Sequence, residues 1–404
     1  MKTDQKKTFL LSIVMAAAAS GIVFSTINNY VYEIYGISAE GRGVLEFFRE
    51  LPGVLTVLFL AAIVVVREKY IMVVAALLIS VSLVGMAFIP SRYWVVVAIL
   101  FMWSIGAHVN MVLQHSYGVA LSAAEGRGRL FGAVGGMRGV GQVVGTGVVW
   151  LGMGYAGMGF PGALMAAALF SALAALGYSL LVPRAHTARR RRRLVVKRAY
   201  GLFYLLAVLF GFRKQIFLVF APWVLVRIFS LSASDIAFMM FISAAVGIFV
   251  KPALGAAIDR FGERRVLCAD SVVLLFVCAG YGLVPHFFTP LIAVPMLYAL
   301  YIVDDLLFSL RSAHTTYLSK IAHDHDELTS TISMSFAIEH VVSMIGPVLA
   351  GIVWMTFGFS WVFAIAGVVA VFMFIAAFKI PSREALLERA AVLSQGDGVR
   401  SEVI

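Results

Sequence analysis

Two cysteines in 404 residues, Cys268 and Cys278, leave no disulfide framework, and neither has a second Cys or a His at ligand spacing in its apolar run. Charge is scarce too. Asp, Glu, Lys and Arg make up 13% of the chain against 61% hydrophobic residues, and the mean hydropathy is +0.95. A soluble domain of this length does not carry so much apolar surface, so the excess must face lipid. No Gly-Lys-Ser/Thr phosphate loop occurs, which argues against ATP-driven pumping, and no His-Glu-x-x-His, which argues against a zinc protease. The glycines around Gly139 and Gly141 form a broken Gly-x-Gly-x-x-Gly inside an apolar run and imply no dinucleotide. The expectation is a protein that is not an enzyme and has no cofactor.

What is present is a series of apolar runs. About twelve have the length of roughly 20 residues needed to cross a bilayer. Six lie near 9–35, 44–66, 71–90, 94–121, 130–155 and 161–182, and six more near 200–229, 233–258, 266–284, 290–318, 330–357 and 361–380. The opening Met1–Lys7 followed by apolar residues imitates a secretory signal, but the spans that follow make it an uncleaved first helix.

The net charge of +11 is not spread evenly. Lys2, Lys6 and Lys7 lie at the start, Arg67 and Lys69 after span two, and Arg127 and Arg129 after span four. The run Arg189 to Arg193 with Lys197 and Arg198 follows span six. Arg260, Arg264 and Arg265 follow span eight, Lys320 span ten, and Arg383 and Arg389 span twelve. Every second loop is therefore basic and the others are nearly neutral, with Arg42 and Arg92 as minor exceptions. The positive-inside rule then puts both termini in the cytoplasm of a multi-pass inner-membrane protein. The arginine run falls at the midpoint, as a linker that also holds anionic lipid heads near Arg189, and no nucleic-acid partner is expected.

The halves repeat. An offset of about 194 residues lays Glu33-Ile34-Tyr35 over Arg227-Ile228-Phe229, and Gly53 over Gly247. Later His314 and Tyr317 lie over Gln114 and Tyr117. The expected organisation is a first bundle at 1–188, a basic linker at 189–199, a second bundle at 200–381 and a cytoplasmic tail at 382–404.

Between spans eight and nine the chain reads Gly-Ala-Ala-Ile-Asp-Arg-Phe-Gly-Glu-Arg-Arg, from Gly255 to Arg265. Gly255, Asp259, Arg260, Gly262, Arg264 and Arg265 resemble the signature loop of the major facilitator superfamily. Gly255 and Ala256 suit a close helix approach, Gly262 a turn, and Asp259 a contact at a neighbouring helix start. The first half keeps only Arg67-Glu68-Lys69 at the matching place, a departure from most of that family. The resemblance implies an all-α fold of twelve transmembrane helices in two six-helix bundles, a gating role for the loop, and transport of a small molecule. A glycine stretch, Gly135 to Gly147, is similar to that family's exporter signature but lacks its proline, and small-residue packing explains it as well.

An ionisable group inside a span must face a cavity or a partner, so such groups are the site candidates. Span ten holds Asp304, Asp305 and Arg311, and span eleven holds Glu339 and His340. Adjacent acids near a histidine suit proton coupling; an internal set of ion pairs, such as Asp304 with Arg311 or Lys214, is the alternative. Arg213 and Lys214 in span seven and Lys251 in span eight can hold an anion or neutralise those acids. In the first half the candidates are Asn29 in span one, Glu46, Arg49 and Glu50 in span two, His108 in span four and Arg138 in span five. His323-Asp324-His325-Asp326-Glu327 looks like a metal cluster but reads better as a solvated loop and helix start, so no metal is expected.

The mixture of acids and bases favours a secondary active transporter of a small charged or zwitterionic solute, working by alternating access and coupled to protons. A multidrug exporter is the alternative that 13% aromatics and 17 methionines would serve. A non-transporting membrane sensor or assembly factor is the third.

Overall fold

The computed structural model describes residues 2–62, 67–88, 92–121, 127–183, 197–323 and 325–386. The arginine run at 189–193 and most of the tail lie outside them. Among the described residues there is no strand, and twelve helices follow one another. The first six are α1 (Lys2–Tyr35), α2 (Ala39–Ala62), α3 (Glu68–Phe88), α4 (Tyr93–Leu121), α5 (Arg127–Tyr155) and α6 (Phe160–Ser179). The second six are α7 (Arg198–Ile228), α8 (Ala233–Phe261), α9 (Glu263–Phe287), α10 (Pro290–Ile321), α11 (His325–Phe357) and α12 (Phe359–Phe378).

Ten of these helices are long and apolar enough to cross a membrane. The other two are α2, which carries Glu40, Arg42, Glu46, Arg49 and Glu50, and the glycine-rich α5. Their place in the fold explains the difference. α2 lies against α11, and α5 lies between α1 and α8, so both are walled by protein. A helix shielded from lipid can afford polar side chains if they find partners.

The repeat is visible in the packing. In the first bundle α1 packs on α5 and α6, α3 on α4 and α6, and α2 on α4. In the second, α7 packs on α11 and α12, α9 on α10 and α12, and α8 on α10. Across the divide α2 meets α11 and α5 meets α8, which are exchanged positions of the same repeat. Close approach depends on glycine. A Cβ on Gly145 would fall on the Ala18 carbonyl of α1, and one on Gly141 on that of Val14.

Turns are set by backbone chemistry. Gly262 between α8 and α9 sits at φ +83°, a conformation that L side chains rarely adopt. Ser232 caps α8, its hydroxyl accepting from the Asp235 N–H while Asp235 accepts from the Ser232 N–H. Two helices are locally irregular. α7 widens to a π turn over Ile216–Phe220 just before Pro222, and α10 tightens to a 3-10 turn over Phe308–Arg311. Both distortions follow directly on charged residues, Arg213–Lys214 and Asp304–Asp305, and such breaks recur at functional sites.

The two ends of the molecule differ. At the end that joins α1 to α2 and α7 to α8, the bundles are sealed. The Asn29 amide donates to the Leu231 carbonyl at 2.8 Å, the Ser234 hydroxyl to the Trp150 carbonyl at 3.0 Å, and Arg227 lies 4.5 Å over the Tyr32 ring. Gly43 abuts Pro347, and Gly351 abuts Ala39. At the other end α5 and α8 diverge: Gly132, Gly135, Gly136 and Gly255 all face open space. Gly255 therefore makes no close helix approach, contrary to the expectation from the sequence.

The glycine seal generates a test. Gly351→Val should wedge α11 off the start of α2 and loosen the sealed end without unfolding either bundle. A cysteine placed at Ser234 should then react severalfold faster with an impermeant maleimide than in the Gly351 background; an unchanged rate would mean that the seal does not depend on this contact.

Candidate functional site: a charged cavity between the bundles

A cavity of about 490 Å³ lies between the bundles, and Gly132, Gly135 and Gly136 of α5 line it. α1, α2, α4 and α5 form one wall, and α7, α8 and α10 the other. Its body is apolar, from Phe24, Leu45, Leu100 and Trp103 on one side and Leu218, Met240 and Tyr301 on the other. Its polar groups are few and placed.

The first is a ladder on α2. Arg42, Glu46, Arg49 and Glu50 occupy one helical stripe, so charges of opposite sign meet at each step. Arg42 donates to Asn28 of α1 at 2.7 Å and to Glu46 at 3.0 Å. Arg49 pairs with Glu46 and, at 2.6 Å, with Glu50. Glu46 and Glu50 are almost fully buried, which only such pairing allows. From Glu50 the ladder crosses to the second bundle: His340 of α11 donates from Nδ1 at 3.0 Å, and Lys214 of α7 lies at 3.7 Å. His108 of α4 stands edge-on to His340, with ring centroids 5.1 Å apart. Its Nδ1 donates to the Ser104 carbonyl at 2.9 Å, and its Nε2 faces His340. Gly53 leaves the room for both rings.

Glu50, His108 and His340 bring their donor atoms within 4.8 Å of one another, a spacing that can hold a metal ion. The chemistry opposes one. Arg49 and Lys214 already contact Glu50, and the Nδ1 of His340 is spent on it. A divalent cation would join two positive charges in a buried site. The group acts as a polar link between bundles.

The second group faces the cavity from the other wall. Asp305 accepts from Lys251 of α8 at 3.0 Å and from the Ser243 hydroxyl at 2.8 Å, and all three line the cavity. Asp304, one residue earlier, points away. Arg213 donates to it at 3.0 Å and to Asp270 of α9 at 2.9 Å, forming a triad sealed inside the second bundle. Adjacent residues on a helix diverge by about 100°, which sends Arg213 inward and Lys214 toward Glu50.

Arg138 of α5 also lines the cavity and donates to the Gln114 amide oxygen at 2.9 Å. Arg311 and Glu339 pair at 2.6 Å, with Arg311 over the Phe210 and Phe336 rings. Asn29 holds Glu33 and Leu231 at the sealed end and is not a cavity residue. In the last turn of α8, Asp259 is exposed and has no partner among the described residues. The Arg260 carbonyl accepts from Arg383, Arg264 lies over Phe378, and buried Glu263 pairs with Lys320 at 2.6 Å. Asp324 of the His-Asp run lies outside the described residues; beside it, the His323 N–H donates to Glu327.

The geometry adds Arg42, Asn28, Ser243 and Asp270 to the expected set. Arg42 was visible as the basic residue out of place in a neutral loop, four residues before Glu46. Asp270 was hidden because it lies one turn inside its span, near loop residues that carry charge anyway.

Two repeated six-helix bundles thus enclose an apolar cavity with charged groups on both walls. The Major Facilitator Superfamily model matches residues 203–395. Among solved structures, the fold is similar to a point mutant of the nucleoside transporter NupG, with TM-score 0.77 and 16% identity, covering 93% of this chain and 100% of that one. It is similar to the D-xylose-proton symporter, with TM-score 0.73 and 16% identity over 93% of this chain and 97% of that one. A bacterial homolog to the human lysosomal transporter Spinster, inward-facing and unoccupied, gives TM-score 0.69 and 14% identity over 96% and 98%. No curated protein matches by sequence. The second bundle thus matches that family's model, and the whole chain shares the fold of these solved structures.

The buried triad predicts a rescue. Arg213→Met alone leaves two carboxylates without their cation and should cost about 3–5 kcal/mol, seen as a lower melting temperature in detergent. Adding Asp270→Asn and Asp304→Asn should restore most of it. No recovery in the triple variant would mean that Arg213 holds the bundle by packing instead.

Proposed function

We propose that this protein is a secondary active transporter that moves a small charged or zwitterionic solute by alternating access, driven by a proton gradient. The observation that carries this is the cavity itself: charged groups from both bundles face one space that is sealed at one end and open at the other. Rocking the bundles about the Glu50–His340 and Glu50–Lys214 links would open the sealed end and bring α5 and α8 together at the other. Asp259, unpartnered here, would then meet the start of α5, where helix N–H groups favour an acid. The basic loops cluster at the open end, which supports a cytoplasmic orientation for it and for both termini in an inner membrane.

Asp305 is the stronger coupling group of the adjacent pair. It reaches the cavity, and its single cation partner, Lys251, is partly exposed. Asp304 is enclosed with Arg213 and lacks that access. A coupling acid must reach water from each side in turn, so position favours Asp305. A multidrug exporter would suit the aromatic wall, but it leaves the paired charges on α2, α8 and α10 without a role. A sensor would need no cavity open to one side.

Gradient-driven accumulation and gradient-free exchange in proteoliposomes separate these cases. Asp305→Asn should abolish accumulation and keep much of the exchange; Asp304→Asn should lower protein stability more than coupling. Full accumulation in both variants would move the coupling site to Glu339 or Glu50, and movement of no solute by the wild type would favour a sensor.

A further inference from the structure

We infer that the solute is an organic anion with an apolar body, and that Arg138 is the group that holds its negative charge. This rests on the transporter reading and narrows it to a substrate class.

The inference comes from the charge balance of the wall. Arg42 is matched by Glu46, Arg49 by Glu46 and Glu50, and Lys251 by Asp305. Arg138 has no carboxylate within ion-pair distance among the described residues. Its partner is the Gln114 amide oxygen, and the Gln114 amide N–H₂ is fixed in turn by the Tyr178 hydroxyl at 2.8 Å. That arrangement orients the guanidinium and uses one of its five N–H donors, with the rest available to the cavity. A positioned guanidinium with free donors is suited to grip a carboxylate, sulfonate or phosphate through two oxygens.

The second bundle contributes at the same level. Gly139 of α5 meets Ile248 of α8, one residue after Arg138 and three before Lys251. Arg138 and Lys251 both line the cavity, so an anion held by Arg138 can also draw on the ammonium of Lys251 and be shared by the two bundles. The remainder of the space is lined by Phe24, Trp103, Leu218 and Met240, which suits an aromatic or aliphatic body. A sugar would find too few hydrogen-bond partners there, and a cation would meet uncompensated positive charge.

The purified full-length protein should be titrated with benzoate, naphthoate and naphthalenesulfonate, each beside its neutral amide and its arylamine counterpart. Thermal stabilisation reports binding. The anions should stabilise the wild type and the neutral and cationic analogues should not. Arg138→Gln should weaken anion binding at least about tenfold, with Arg138→Lys retaining part of it. Arg92→Gln, a change at an exposed loop, should bind as wild type does. In the wild type, naphthoate should also slow phenylglyoxal modification of Arg138, followed by peptide mass spectrometry, which does not depend on any variant folding. Stabilisation without anion preference, no stabilisation by any anion, or unprotected Arg138 would overturn the inference. Counterflow in proteoliposomes keeps it apart from the transporter reading: movement of neutral or cationic solutes alone sinks the anion assignment and keeps transport, whereas anion binding without counterflow of any solute does the reverse.

Discussion

A charge carried into a membrane must meet an opposite charge or water, and the interior of this protein is arranged by that constraint. The Arg213–Asp270–Asp304 triad meets it by enclosure and so fixes α7, α9 and α10 as a unit. The α2 ladder meets it step by step from Asn28 to His340 and so ties one bundle to the other. Asp305, Lys251 and Arg138 meet it through a cavity that admits water. Enclosed pairs build the fold, and the groups left facing water are those available to a solute.

The same division separates what stays fixed from what can move. Contacts within each bundle are backbone-close, as at Gly141 and Gly145, and resist change. Contacts between bundles are the α2–α11 and α5–α8 packings, equally close at Gly43 and Gly351, with polar links beside them, and two rigid bodies can exchange such contacts for others. The irregular turns in α7 and α10 lie on the helices that border both regions, where a small change of helix direction would be felt in the cavity.

Much of this was legible in the sequence. Hydropathy marked the twelve helices, and loop charge and the Gly255–Arg265 motif marked the family. Even the offset of the repeat agrees with the starts of α2 and α8 at Ala39 and Ala233. The partners were less legible. Arg213 and Lys214 are neighbours in sequence and serve different bundles; Asp304 and Asp305 diverge on α10, one to Arg213 inside the bundle and the other to Lys251 at the cavity. Facing is a property of how helices rotate against one another, and one apolar span surrounded by others carries little periodicity to reveal it. Gly255 was read as a close helix approach and Asp259 as a contact at a neighbouring helix start, yet nothing lies against Gly255 and Asp259 has no partner among the described residues.

The central claim is that two bundles rock about a charged midplane. Spin labels at Gly132 and Ala253 span the open end, and labels at Tyr155 and Phe288 span the sealed end. Pulsed electron paramagnetic resonance on both pairs, with and without transported solute and across a pH series, measures the motion directly. The account predicts that the first distance shortens as the second lengthens. Distances that stay fixed, or that change together, would contradict it.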